Sequence, residues 1–218
     1  MLIKGLCDYY DILREKGEVL PDGYSKVKVE YRISITENGK IDDILEFDDE
    51  THLYGKQPIA KAIRMPKRTE KSSIDANIIE HKPRYIFGLN LSNEGFTTED
   101  RTNQAKKAHQ DFVAKNLEFI EGIDSPVVNA YRKFIENWNP EEETENQYLL
   151  SLGNNYSNSY FTFVLSGEPD KLLNEDPQIK EKWKEYYAAK DSVEEAEHTA
   201  QCAITGVMAP IARIHGKI

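Results

Sequence analysis

An α+β fold is predicted: a twisted antiparallel β-sheet, built on a β-hairpin and packed against several α-helices. Three observations lead there. Val27, Val29, Tyr31, Ile33 and Ile35 alternate with Lys28, Glu30, Arg32 and Ser34, the period-two pattern of a strand with one covered face. Asn38-Gly39 follows, the dipeptide that best accepts the positive φ angles of a type I′ hairpin turn, and Ile41–Phe47 supplies the returning strand. Later segments open with Ser125-Pro126 and Asp176-Pro177 and then carry apolar residues at helical spacing, as helices do when proline takes the first helical position.

The remaining elements follow in chain order. Ile3–Lys16 places Leu6, Tyr9, Tyr10 and Leu13 at helical spacing and meets Gly17, so a helix is expected to stop there. Pro21-Asp22-Gly23 is a turn signal. A strand is expected over Pro58–Met65, closed by Pro66. Lys67–Ser73 holds no apolar residue and reads as an exposed loop. A short helical turn over Ile74–Glu80 and a short strand over Tyr85–Leu89 come next. Thr97 or Thr98 is expected to cap a long helix reaching about Gly122, with Ala105, Ala108, Phe112, Phe119 and Ile120 as its buried stripe. The next helix carries Val127, Tyr131, Phe134, Ile135 and Trp138. Asn139–Gln147 reads as an acidic loop, and Tyr160–Ser166 as a strand with Phe161, Phe163 and Leu165 on one face. A helix through Trp183 and Tyr187, a mobile acidic segment over Asp191–Thr199 and a closing segment over Gln201–His215 complete the chain. The organisation expected is a β-rich part over residues 1–90 and a helical part with a further strand over 91–218.

A chain of 218 residues is long enough to bury a core without disulfides or metals. No apolar run approaches the ~20 residues that span a bilayer, and Met1–Tyr10 lacks a signal-peptide core; a cytoplasmic location is expected. Cys7 and Cys202 lie far apart and read as free, buried thiols in a reducing compartment. The net charge of −10 argues at first against nucleic acid, but its distribution matters more than its sum. Lys56, Lys61, Arg64, Lys67, Arg68, Lys71, Lys82 and Arg84 cluster in one window, opposed only by Glu70, Asp75 and Glu80. The acidic excess gathers in the second half, around Glu141–Glu143 and Glu194-Glu195. Such polarity suits one basic working face, and equally a solvated surface with clustered charge.

Neither a P-loop nor a GxGxxG pattern occurs, and no cofactor is expected. His52, His81, His109, His198 and His215 stand singly, with no His-x-x-x-His or Cys-x-x-Cys pair, so no metal site is expected. Cys202 with His215 is the one nucleophile-and-base reading, and a buried structural thiol is the commoner case. The chain therefore reads as a non-enzyme. What remains is the basic loop. Lys67, Arg68 and Lys71 carry cations for phosphates, while Ser72, Ser73 and Asn77 offer short polar side chains for base edges.

Met1-Leu2-Ile3-Lys4-Gly5-Leu6-Cys7-Asp8-Tyr9-Tyr10, the turn at Pro21, the strand at Val29–Ile35 and the Asn38-Gly39-Lys40 hairpin follow in order. Ser72–Ile79 then leads to Tyr85-Ile86-Phe87-Gly88, and Gln201–Gly206 to Ala209–His215. This succession resembles the N-terminal region of the large subunit of type I-C CRISPR surveillance complexes (Cascade). The chain departs from that family's usual residues at Ser73, often Gly, at Ala76, often Pro, and at Gly216, usually Pro. Family members are well over twice as long, so the resemblance implies an N-terminal domain or half of a split subunit. The resemblance implies recognition of the protospacer-adjacent motif in duplex DNA and help in starting strand separation, so that the crRNA pairs with its target. It also implies as partners double-stranded target DNA, crRNA, other Cascade subunits and a recruited nuclease-helicase that does the cutting. Two other readings stay open: an interaction scaffold without DNA contact, and a hydrolase built on Cys202 or paired carboxylates.

Overall fold

The structure is a computed structural model that describes residues 2–47, 58–68, 73–92, 95–98, 104–195, 199–201, 206 and 208–210. In chain order its elements are α1 (Leu2–Glu15), β1 (Tyr24–Val29), β2 (Tyr31–Ile35), β3 (Ile41–Glu46), β4 (Lys61–Pro66), α2 (Pro83–Phe87), β5 (Asn90–Ser92) and β6 (Gly95–Thr97). Then come α3 (Gln104–Ile120), α4 (Pro126–Asn137), α5 (Gln147–Leu152), α6 (Asn155–Asn158), β7 (Phe161–Leu165), β8 (Glu168–Leu172), a 3-10 turn at Leu173–Glu175, α7 (Pro177–Glu195), β9 (Thr199–Gln201) and β10 (Met208–Pro210). The α+β expectation is met. The chain divides into two compact units, one of Met1–Tyr24 with Glu181–Ile218 and one of Ser25–Lys180.

The larger unit is built on a four-stranded sheet of order β3-β2-β7-β8. β2 and β3 form the expected antiparallel hairpin, with Ile33 opposite Ile44. Its turn is longer than the two residues expected: the Gly39 amide donates to the Thr36 carbonyl and the Thr36 amide to the Lys40 carbonyl. Only Gly39, at φ 76°, takes the left-handed conformation there. The turn lies so close to α4 that a Cβ at Gly39 would sit 2.3 Å from the Phe134 nitrogen. The central pair differs from an all-antiparallel sheet. β2 and β7 run parallel, with Tyr31 opposite Phe161 and Ile33 opposite Phe163, because the intervening helices carry the chain back to the same end.

Both faces of that pair are covered. Tyr31, Ile33, Phe161 and Phe163 are buried on one face, where the Phe163 ring lies 4.8 Å from Tyr131 and 5.1 Å from Phe134 of α4. The polar residues of β2 were expected on an open face, yet Arg32 and Ser34 are buried too. A second layer covers them. Thr162 donates to the Asn174 side chain at 2.9 Å, and Asn174 donates to the Arg64 carbonyl of β4 at 2.9 Å. Arg32 donates to the carbonyls of Glu46 and Pro169 and lies over the Phe47 ring. Its hydrogen bonds permit the burial that an unpaired guanidinium would resist.

Four local expectations are corrected. Tyr85–Leu89 is not a strand: Pro83 occupies the first turn of helix α2, and Gly88 ends it at φ 67°. Ile74–Glu80 is not helical, because Ile79 takes φ 51°, which breaks any helical run. Thr97, one of the two residues expected to cap α3, belongs instead to β6, and the residues between Thr98 and Gln104 lie outside the described ones. Asp191–Glu195 continues α7, since the alanines and charged residues before it are good helix formers with no glycine or proline among them. The buried stripes expected for α3 and α4 are found, apart from Trp138, which sits at the C-cap of α4.

In the smaller unit, Trp183 of α7 donates its indole N–H to the Gly23 carbonyl at 3.0 Å and stacks on Tyr186. β9 and β10 pair antiparallel. Helix α1 forms as expected, but Ile3, Leu6, Tyr9, Tyr10 and Ile12 are exposed. Cys7 is exposed as well, contrary to the buried thiol expected, because it rides on the same uncovered helix. Cys202 lies outside the described residues. Among the described residues no helix is long and apolar enough to cross a membrane.

Candidate nucleic-acid interface

The basic loop leaves β4 at Pro66 and returns at Ser73. Lys67 is exposed and makes no ion pair with another described residue. The next residue, Arg68, turns inward. Its guanidinium pairs closely with the Glu80 carboxylate, donates to the Asp75 carbonyl at 3.0 Å and lies 4.9 Å above the Tyr85 ring. Burial alone would lower the pKa of Arg68, but the charge and hydrogen bond of Glu80 outweigh it and raise the value. Glu80 is fully buried. Its two oxygens also accept the backbone N–H groups of Asn77, His81 and Lys82 at 2.9–3.1 Å. A buried carboxylate satisfied by a cation and three amides holds its surroundings firmly, since removing one partner of such a pair typically costs about 3–5 kcal/mol.

The returning end of the loop is fixed from beneath. Asn77 is buried, and its side-chain amide donates to the Pro66 carbonyl at 2.9 Å. Asn116 of α3 has no exposure and uses its whole hydrogen-bonding capacity. It donates to the carbonyls of Asn77 and Phe112 and accepts from the Ile79 amide and the Tyr131 hydroxyl, all at 2.8–3.1 Å. The bond to Ile79 supports a left-handed conformation that a β-branched residue rarely adopts. Asp111 accepts the Ala76 amide at 2.5 Å, and Lys115 bridges Asp111 and Asp75. Burial would lower the pKa of Lys115, but hydrogen bonds to those two carboxylates raise it.

His81 lies under this clamp. The Phe161 amide of β7 donates to its carbonyl at 2.9 Å, and its ring meets Tyr160 edge-on. Its Nδ1 is buried without a hydrogen-bond partner among the described residues. Burial drives its pKa down to about 4, against a smaller upward pull from Glu80.

The expected site residues thus fall into three groups. Lys67 and Ser73 are exposed at the two shoulders of the loop. Arg68 and Asn77 point inward and shape its base. Lys71 and Ser72 lie outside the described residues. Sequence reasoning passed over Glu80, Asn116 and Tyr131. One signal for Glu80 was readable: Asn77 and Glu80 have the spacing of a capping box, and Glu80 makes half of that motif by accepting the Asn77 N–H. Asn116 carries no such mark, since an asparagine within a helix is usually solvent-facing.

Chemistry of other kinds finds little support among the described residues. No group of three His, Cys, Asp or Glu side chains is placed to hold a metal ion. His109 is buried with Nδ1 3.0 Å from the Tyr85 carbonyl. The Cys202–His215 pair lies outside the described residues. A depression of ≈ 580 Å³ beside α3 and α4 is lined by Glu118, Glu121, Asp124 and Glu136 against Arg132 alone, a net negative lining that disfavours phosphate.

The fold and this region define an α+β domain whose principal built feature is a basic loop clamped at its base. The chain belongs to the Cas_Csd1 family: the family model, described as CRISPR-associated protein (Cas_Csd1), matches residues 6–218. Membership accords with the large-subunit resemblance carried by the sequence motifs and supports a Cascade-related role. No curated protein matches the chain.

Proposed function

We propose that this chain is the DNA-facing, non-catalytic region of a type I-C Cascade large subunit. In this reading it recognises the protospacer-adjacent motif in duplex DNA and aids R-loop initiation. Its partners are double-stranded target DNA, crRNA, other Cascade subunits and a recruited nuclease-helicase, in the cytoplasm. One observation carries the proposal: the loop is gripped at both ends by buried groups, while Lys67 and Ser73 are left exposed on its shoulders. A reader of a short motif needs a fixed backbone and accessible polar side chains, because phosphate contacts set register and short groups reach base edges. Arg68 and Asn77 then act by holding the loop, and Lys67, Lys71, Ser72 and Ser73 by touching DNA.

Omitting the chain from a reconstituted complex tests this. Duplexes with and without the motif are compared for binding and strand opening. The expected result is loss of the preference for the motif. Retained preference in the complex lacking this chain contradicts the proposal. Metal-dependent DNA cleavage by the purified chain, abolished by one carboxylate substitution, contradicts its non-catalytic part.

A second reading has its own observation. The exposed Ile3, Leu6, Tyr9 and Tyr10 of α1 form a patch of the kind that protein partners cover. A scaffold role rests on that helix and needs no DNA contact. Loss of complex assembly with motif preference intact, on Leu6→Asp, supports it.

A further inference from the structure

We infer that the β1–β4 ribbon is a second contact surface for duplex DNA, one that grips the phosphate backbone without reading sequence. This deepens the proposed function and rests on it. β1 and β4 pair as a separate two-stranded sheet. Neither strand contains a carboxylate: β1 is Tyr-Ser-Lys-Val-Lys-Val and β4 is Lys-Ala-Ile-Arg-Met-Pro. Lys26 and Lys28 project to one side of β1, as the period of a strand requires, and both are exposed. Lys61 is exposed at the start of β4, 5.4 Å from the Phe47 ring. Arg64 is instead engaged by Glu175 at 3.0 Å. Lys26 and Lys28 make no ion pair with a described residue.

Lysines on an open strand commonly guard against edge-to-edge pairing; two of them on one side of a strand without carboxylates also present a stripe complementary to phosphate. The outer strands of the four-stranded sheet show the contrast. β3 carries Asp42, Asp43 and Glu46, and β8 carries Glu168 and Asp170 against one lysine. The β1–β4 ribbon instead carries Lys26, Lys28, Lys61 and Arg64 with no carboxylate in either strand, in a chain of net charge −10. β4 then runs directly into Lys67 and the loop proposed to meet the motif. Phosphates flanking that motif would lie along the ribbon, and the mobile lysine side chains would follow them without discriminating bases.

The test is Lys26→Ala/Lys28→Ala in the reconstituted complex, with affinity for motif-bearing and motif-lacking duplexes measured across salt concentrations. Loss of two phosphate contacts makes the slope of log K against log salt shallower by about 2. Both duplexes weaken by the same factor, and Lys26→Arg/Lys28→Arg restores the slope. An unchanged slope for the alanine pair, with Lys67→Ala still flattening it, overturns the ribbon and leaves the loop reading standing. If neither set changes the slope, the ribbon fails and so does the phosphate contact assigned to Lys67. Weakened crRNA retention with unchanged duplex affinity assigns the lysines to RNA and overturns the inference.

Discussion

Asn77 and Pro66 meet across the base of the basic loop: the Asn77 side-chain amide donates to the Pro66 carbonyl at 2.9 Å. The two ends of the loop are thereby tied by a buried bond. Asn77→Ala leaves that carbonyl without this donor in a dry site and is expected to cost about 1–3 kcal/mol of stability. Urea denaturation gives the number. Hydrogen exchange gives the location, with faster exchange at residues 73–79 expected. An unchanged urea midpoint means the bond adds nothing.

Glu80 should be the more damaging position. Glu80→Ala strips Arg68 of its counter-charge and three backbone amides of their acceptor, and about 3–5 kcal/mol should be lost. Against a typical total of about 5–15 kcal/mol, much of the chain would unfold at moderate temperature. Glu80→Gln keeps the size and one acceptor and should fall between wild type and alanine. Thermal melts that place alanine and wild type together refute the clamp.

His81 links the clamp to pH. Its folded pKa is about 4, depressed by burial from 6.5. The unfolded chain therefore takes up this proton first as pH falls. The stabilisation from neutral His81 is complete above pH 6.5 and drains away towards pH 4, on the order of 3 kcal/mol in all. His81→Phe removes the titration, and denaturation midpoints between pH 7 and pH 4 should fall less steeply than in wild type. Parallel curves contradict this.

Gly39→Ala tests the hairpin. The substitution combines φ 76° with a Cβ 2.3 Å from the Phe134 nitrogen. The left-handed conformation alone costs roughly 1–2 kcal/mol, and the clash with helix backbone adds to it. Calorimetry should show a clearly lowered Tm for Gly39→Ala and almost none for Gly122→Ala beyond the conformational cost, since Gly122 faces open space.

Periodic patterns and proline positions carried most of what was legible in the sequence. The hairpin strands, α4 and the start of α7 follow from them. Tyr85–Leu89 misled because its apolar residues fit either period, and Pro83 was the decisive mark left unused. The parallel β2–β7 ladder was hidden since partners so distant in sequence leave no local trace. The site divided the same way. Lys67 and Ser73 could be read as polar residues in a polar run. The inward turn of Arg68 depends on Glu80 lying buried beside it, and the burial of Asn77 depends on α3, neither of which a linear pattern reveals.

Motif discrimination under loop substitution tests the central claim most directly. In the reconstituted complex, Lys67→Ala should weaken binding to every duplex alike and flatten the salt dependence by about 1 unit of slope. Ser73→Ala should instead narrow the gap between motif-bearing and motif-lacking duplexes, by up to about 1–3 kcal/mol where a good base contact is lost. Lys71→Ala and Ser72→Ala extend the same two arms. If all four substitutions leave both affinity and discrimination unchanged, the loop is a solvated connection and this chain does not read DNA through it.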